Sequence, residues 1–313
     1  MRRFLYALIL FLMASAALIA GHHSPKSSKP WGIYQIHWGA THFEAGLQRQ
    51  VEQLGAVPDY VLFFRDLHPR RGFPQAATEI CKRIGATPVI SKELSIWGRW
   101  HADDRSWLKR INAGEYDAYW KLWGEAAKRF DAEVILRFGF EMNGDWFAWG
   151  QQPEDFIEAW RRVHGIIRDE VGADKVRFMF SPNVEWESDD RQIAIELYYP
   201  GDDVVDLLGL DGYNFGDDHT EWHSWQTYES IYEKSIRKMS RWDKELIIAE
   251  IGCAEGSLKA GWLRDFLGSF ERDERVSGFI YYNHFDPKKG EPNWRLDSDP
   301  ATLKVFQEYV QDE

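Results

Sequence analysis

Eight short apolar runs separated by longer amphipathic stretches limit what this 313-residue chain can fold into more than any other feature of its sequence. The runs are Trp31–His37, Asp59–Phe64, Thr87–Ile90, Glu133–Arg137, Val176–Ser181, Val204–Leu210, Leu246–Glu250 and Ser277–Tyr282. The stretches between them, such as Glu115–Phe130, Pro153–Asp169, Trp225–Arg241 and Lys259–Arg272, repeat apolar residues at spacings of three and four, the period of a helix face. Right-handed strand–helix crossovers all turn the same way, so eight of them in succession predict an α/β chain closed into a single (β/α)8 TIM barrel. Asp299 and Pro300 read as the N-cap and first turn of a closing helix over Pro300–Tyr309.

Before the first run, residues 1–21 combine two arginines, an apolar run from Phe4 and small residues near its end, the pattern of a signal peptide or N-terminal anchor. Residues 22–30 form a polar spacer, and residues 31–313 the barrel. Cleavage of the first segment predicts a secreted or periplasmic protein. Retention predicts one anchored in the membrane and facing outside the cytoplasm, the one circumstance in which a membrane is a partner. The net charge of −12 repels polyphosphate and anionic lipid, which excludes nucleic acid and favours a neutral substrate. The 16 tryptophans point toward carbohydrate, because indole faces stack on the apolar faces of sugar rings. Cys81 falls on a helix position and Cys253 at a strand end, so two buried thiols are expected rather than a disulfide.

In a parallel barrel the active site is built at the carboxyl ends of the strands. Here those ends carry polar groups: His37, Arg65 and Asp66, Ser91 to Glu93, Arg137 to Asp145, Ser181 and Asn183, Asp211 to Asn214, Glu250, and Asn283 and His284. Two glutamates stand out. Glu141 follows the apolar run Val134-Ile135-Leu136, and Glu250 interrupts another, where a carboxylate is costly unless it is hydrogen-bonded or used. An ion pair with Arg137 would satisfy Glu250, and would equally hold a catalytic carboxylate ionised. Two carboxylates across a sugar-sized gap are what glycosidic cleavage requires, one protonated and one charged.

The runs RFGFEMNGDWFAWG from Arg137, SPN at Ser181–Asn183, GLDGYNFG at Gly209–Gly216 and IAEIG at Ile248–Gly252 together resemble glycoside hydrolase family 26. The resemblance implies a retaining endo-β-glycanase, most often a β-1,4-mannanase, with Glu141 as general acid/base and Glu250 as nucleophile. It also implies that Tyr213 contacts the nucleophile and that Trp146 lines the sugar site. Asp211, Arg137, Asn183, Trp149, Trp97, His284 and Trp294 complete the expected sugar-contacting set, with Trp100 and Trp186 as further loop indoles, while Trp120, Trp123 and Trp160 sit in helical patterns and read as core. Phe140 stands where the family's mannanases place a histidine, which leaves open a mixed-linkage β-glucan or β-1,3-xylan as substrate.

No HxH or HExxH pattern, phosphate loop or GxSxG elbow is present, so neither a metal nor a cofactor is expected. The partner expected is a neutral β-linked polysaccharide or oligosaccharide, bound by a monomer. Two other readings stay open at this stage: trimming of exopolysaccharide, and a non-catalytic carbohydrate-binding barrel.

Overall fold

A computed structural model describes residues 29–97, 104–186, 192–217, 224–288 and 290–311. The expected signal segment and nearly all of the spacer lie outside the described residues, as does Trp100. Eight parallel strands follow one another in chain order: β1 (Trp31–Tyr34), β2 (Tyr60–Arg65), β3 (Thr87–Lys92), β4 (Val134–Phe138), β5 (Val176–Phe180), β6 (Leu207–Asn214), β7 (Leu246–Cys253) and β8 (Gly278–Tyr281). Each pairs with the next, and β8 pairs back onto β1, so the sheet closes into a barrel. The helices outside it are α1 (Ala40–Leu54), α2 (Gln75–Ile84), α3 (Trp107–Asn112), α4 (Asp117–Phe130), α5 (Pro153–His164), α6 (Tyr228–Met239), α7 (Lys259–Arg272) and α8 (Pro300–Gln311).

Side chains sort by the two-residue period of a strand. Tyr34, Leu62, Val89, Ile135, Met179, Leu207, Ile247, Ala249 and Ile280, at least one from every strand, pack into the barrel interior. Their neighbours, among them Ile33, Phe63, Ile90, Leu136, Phe178, Leu208, Ile248 and Phe279, face the helix jacket. The helices answer with apolar stripes: α1 buries Phe43, Leu47, Val51 and Leu54, spaced by four, four and three residues along one face. Trp120, Trp123 and Trp160 are buried in this jacket. At the end of the chain the Asp299 carboxylate accepts from the Ala301 and Thr302 amides and caps α8.

Several boundaries differ from those read in the sequence. β1 stops at Tyr34 instead of His37, and β6 and β7 run on to Asn214 and Cys253. The helical stretch from Pro153 turns into a π-helix over Gly165–Glu170, and α6 starts only after Thr227, whose hydroxyl accepts from the Ser230 amide. Between β5 and β6 the described residues hold a short 3-10 turn, Ile195–Tyr198, and no α-helix. Cys81 and Cys253 are both free and buried.

Candidate active site

Further along the strands than the apolar layer, the barrel interior becomes polar. Ser91 on β3, Arg137 on β4, Ser181 just past β5, Asp211 on β6 and Glu250 on β7 are all buried there. Arg137 is the hub. Its Nε donates to Ser181 Oγ at 2.8 Å and its Nη1 to Ser91 Oγ at 2.8 Å, and the guanidinium also donates to the carboxylates of Asp211 and Glu250. A guanidinium with no solvent contact needs this many acceptors, since a buried charge without partners would cost several kcal/mol. The Phe140 ring covers its face, 4.5 Å away.

Glu250 reaches this layer because β7 carries a bulge. Leu210 pairs with Ile248, but the next residue of β6, Asp211, pairs with Glu250, leaving Ala249 as an extra residue. Ala249 packs in the barrel interior, and Ile248 and Ile251 both face the helix jacket. Unbroken alternation would have sent Glu250 outward among the helices. The extra residue turns it onto Arg137 and Tyr213, whose hydroxyl donates to Glu250 Oε2. Burial together with the negative charge of Glu250 raises the Tyr213 phenol well above its usual range, so it stays a donor.

Glu141 comes from the loop after β4. Its backbone is left-handed, with φ of 51°, a conformation that costs a residue with a side chain about 1 kcal/mol. The loop is held by the Glu141 amide donating to Ser181 O at 2.8 Å and by Asn143, which donates to Asn183 O at 3.0 Å and accepts from the Asn183 amide at 2.9 Å. Asn183 Nδ2 then donates to Glu141 Oε1 at 2.8 Å, and Trp146 Nε1 to Oε2 at 2.6 Å. Trp146 folds back over its own loop, and only glycine at 144 leaves room for it, because a Cβ there would fall on the indole ring. Burial pushes the Glu141 carboxyl up to about 7, with Glu250 adding to the shift and Asn183, Arg137 and Trp146 opposing it. Asp211 is also raised by burial, against the pull of Arg137.

The expected site residues separate into three groups. Glu141, Glu250, Trp146, Tyr213 and Asn183 surround one opening. Arg137 and Asp211 are 0% exposed beneath it and do not reach a ligand, contrary to the sugar-contacting role expected of them; Arg137 makes the expected ion pair with Glu250, and Asp211 pairs with Arg137 in turn. Trp294 departs from expectation in a similar way: it is 3% exposed and its ring packs 4.9 Å from that of Tyr213. Trp149 is not a subsite indole either. It is 1% exposed, stacked 4.5 Å from Phe147, and donates to Phe140 O at 2.8 Å. Trp97 has its amide on Asp66 Oδ2 at 3.0 Å and its ring under Arg71. His284 packs against Tyr34 and Tyr282. The sequence reading placed Ser91 at a strand end but not as an anchor of Arg137, and it passed over Tyr34, whose ring packs 4.7 Å from that of Tyr282. Both lie at inward strand positions, where an alternation count would have found them.

A parallel (β/α)8 barrel with a carboxylate pair at the carboxyl ends of β4 and β7 has the arrangement that two-carboxylate glycosidic chemistry requires. Residues 121–260 match the model of glycosyl hydrolase family 26. Endoglucanase H of Acetivibrio thermocellus is 29% identical over 209 residues, 64% of this chain and 22% of that protein. The mannan endo-1,4-beta-mannosidase A and B of Caldalkalibacillus mannanilyticus is 25% identical over 177 residues, 53% of this chain and 31% of that one. The chain thus spans less than a third of the length of these relatives. Among solved structures, a family 26 beta-mannanase from Bacteroides ovatus superposes with a TM-score of 0.63 at 19% identity, covering 96% of this chain and 92% of that one, a likeness of fold.

Proposed function

We propose that the protein is a retaining endo-β-glycanase that hydrolyses internal linkages of a neutral polysaccharide, β-1,4-mannan first among them. The observation that carries this reading is the pairing, at one opening, of a carboxyl raised to about 7 with a second carboxylate clamped by a guanidinium and a phenol. Donors from Arg137 and Tyr213 stabilise negative charge on Glu250, which suits a nucleophile. Glu141, largely protonated below neutral pH, suits a general acid.

In the first step a Glu250 oxygen attacks the anomeric carbon, the glycosidic C–O bond breaks, and the leaving oxygen takes the proton of Glu141. Once Glu250 is an ester its charge is gone, the Glu141 carboxylate is no longer opposed, and it can accept a proton from water. That water attacks the anomeric carbon, the ester bond breaks, and Glu250 leaves as a carboxylate while Glu141 is again protonated. Trp146 orients Glu141 and offers its ring edge to the sugar beside it.

The mannan assignment is supported by the activity named for the Caldalkalibacillus relative. A β-glucan is the second reading, favoured by Phe140, whose ring lies on Phe64 and Phe147 and brings no hydrogen-bonding group to the site. Endoglucanase H is a relative consistent with it. Action outside the cytoplasm belongs to the same proposal, supported by the leader-like pattern of residues 1–21.

The test is hydrolysis of mannan, glucomannan, mixed-linkage glucan and β-1,3-xylan, with proton NMR of freshly released product. An initial excess of the β-anomer is expected, and Glu250→Ala should lose on the order of 10³-fold or more in rate with the fold intact. An initial excess of the α-anomer, or a fully active Glu250→Ala protein, overturns the assignment.

A further inference from the structure

A lysine opens α7 where a cation is disfavoured twice over. Lys259 is the first residue of that helix, so the helix dipole sets partial positive charge beside it, and it is 0% exposed. Burial lowers its ammonium to about 8, with Cys253, Glu255, Asp299 and Asp297 opposing the shift. A charge kept against both effects has to be held by its partners. The Nζ donates to Asn293 O at 3.0 Å, to Arg295 O at 2.9 Å and to Ser298 Oγ at 3.0 Å. All three ammonium protons are therefore spent on the segment between β8 and α8.

The two carbonyls flank Trp294, and the backbone of Trp294 is itself tied down. Its amide donates to His284 O at 3.1 Å, and its carbonyl accepts from the Tyr281 hydroxyl at 2.9 Å. On either side, Asn293 Nδ2 donates to Glu255 Oε1 at 2.6 Å and the Leu296 amide donates to Asn283 Oδ1 at 2.8 Å. Residues 293–296 have no regular structure, so bonds of this density hold them for the side chain they carry. That side chain is the Trp294 indole, buried 4.9 Å from the Tyr213 ring and 5.2 Å from that of Phe215. A Cβ on Gly252 would come to 2.8 Å from the phenol ring and 3.0 Å from the indole, so both rings close over the backbone of β7 two residues past Glu250. Tyr282 packs 5.9 Å from the same phenol. Enclosed in this way, Tyr213 cannot swing its hydroxyl off Glu250 Oε2 without displacing Trp294.

We propose that Lys259 is a positioning residue for the nucleophile: it seats residues 293–298 so that Trp294 backs Tyr213 and keeps the Tyr213 hydroxyl on Glu250. The assignment rests on the glycanase reading, in which Glu250 attacks the anomeric carbon. Lys259 touches no substrate. With its ammonium gone, Asn293 O and Arg295 O lose their common donor, Trp294 is free to withdraw, and the phenol can turn away from the carboxylate.

A double-mutant cycle separates positioning from stability. The value of kcat/KM is measured on β-1,4-linked manno-oligosaccharides and mixed-linkage gluco-oligosaccharides for the native protein, Lys259→Met, Tyr213→Phe and the double variant. Lys259→Met should lower kcat/KM about tenfold where Tyr213 keeps its hydroxyl and less than about twofold where it is phenylalanine, because the group being positioned is then absent. A smaller folded fraction or a general loosening lowers both backgrounds alike, so equal losses overturn the proposal. If Lys259→Met does not fold, Lys259→Gln, which keeps a donor, takes its place under the same criterion. If the native protein cleaves none of these, the glycanase reading fails on its own. The seating of Trp294 is then judged without substrate, by fluorine NMR of protein labelled with fluorotryptophan, the Trp294 resonance being the one lost in Trp294→Phe. A shift of that resonance in both the Lys259 variant and Tyr213→Phe supports the positioning role, and a resonance indifferent to Lys259 overturns it.

Discussion

Replacing Glu250 by glutamine removes one negative charge from beside Glu141 and keeps nearly the same shape. Burial is the larger cause of the rise in Glu141 to about 7, and the charge of Glu250 the second. Carboxylates of a retaining pair stand roughly 5.5 Å apart. At an effective dielectric of about 20 their repulsion is about 3 kcal/mol, or close to two pKa units. The variant loses this contribution and keeps the burial, so Glu141 should titrate one to two units lower, yet still above an ordinary carboxyl. Trp146 reports the event, because its indole N–H donates to Glu141 Oε2 at 2.6 Å. Tryptophan fluorescence followed from about pH 4 to pH 9 should show a transition near 7 in the native protein, a lower one in Glu250→Gln, and none in Glu141→Gln. A transition that stays near 7 in Glu250→Gln, or rises, would show that the two carboxylates do not feel each other. The sign extends to stability. The folded chain holds this proton more tightly than the unfolded one, so Glu141's stabilising contribution is full below about pH 4.5 and lost as pH rises through about 7.

Arg137→Met leaves Asp211 and Glu250 buried without their cation and should destabilise the fold by about 3–5 kcal/mol in denaturant melts, with part of the loss recovered when Asp211→Asn is added. A native-like midpoint in the single variant would mean the buried network carries no such charge. Gly144→Ala places a methyl on the Trp146 ring and should displace the indole from Glu141, lowering kcat about tenfold or more and abolishing the fluorescence transition while the melting temperature changes little. Unchanged turnover and an unchanged transition would show that the indole is not seated by that glycine.

The strand count and the barrel were legible because period and run length are local properties of a sequence, and each of the eight runs could be read alone. Glu141 and Glu250 were legible for a related reason, since polar residues following apolar runs stand out and strand ends converge in a barrel, whereas Tyr213 and Trp146 came from the resemblance to glycoside hydrolase family 26. The burial of Trp149 and Trp294 was not. A loop indole reads as surface, and whether it turns inward depends on partners far along the chain, such as Tyr213 for Trp294. Asp211 and Arg137 were read as reaching a ligand because their depth along the strand axis, one layer beneath the opening, is set by stagger between strands, which no single run encodes.

Glu250 shows how this limit acts at the residue that matters most. Read by alternation from Ile247, which packs inside the barrel, Glu250 belongs outside, among the helices. A carboxylate there would be buried in the apolar jacket without Arg137, at a cost of several kcal/mol. The ion pair expected from the sequence is therefore incompatible with a regular β7, and one of the two has to yield. The strand yields: an extra residue, Ala249, fits in the interior beside Ile247, its Cβ against Gly209 of the neighbouring strand, where even a Cβ on that glycine would come within 3.0 Å of it. The extra residue before the glutamate is thus what turns the carboxylate to the barrel axis, and the charge of Arg137 gives it a reason to stay.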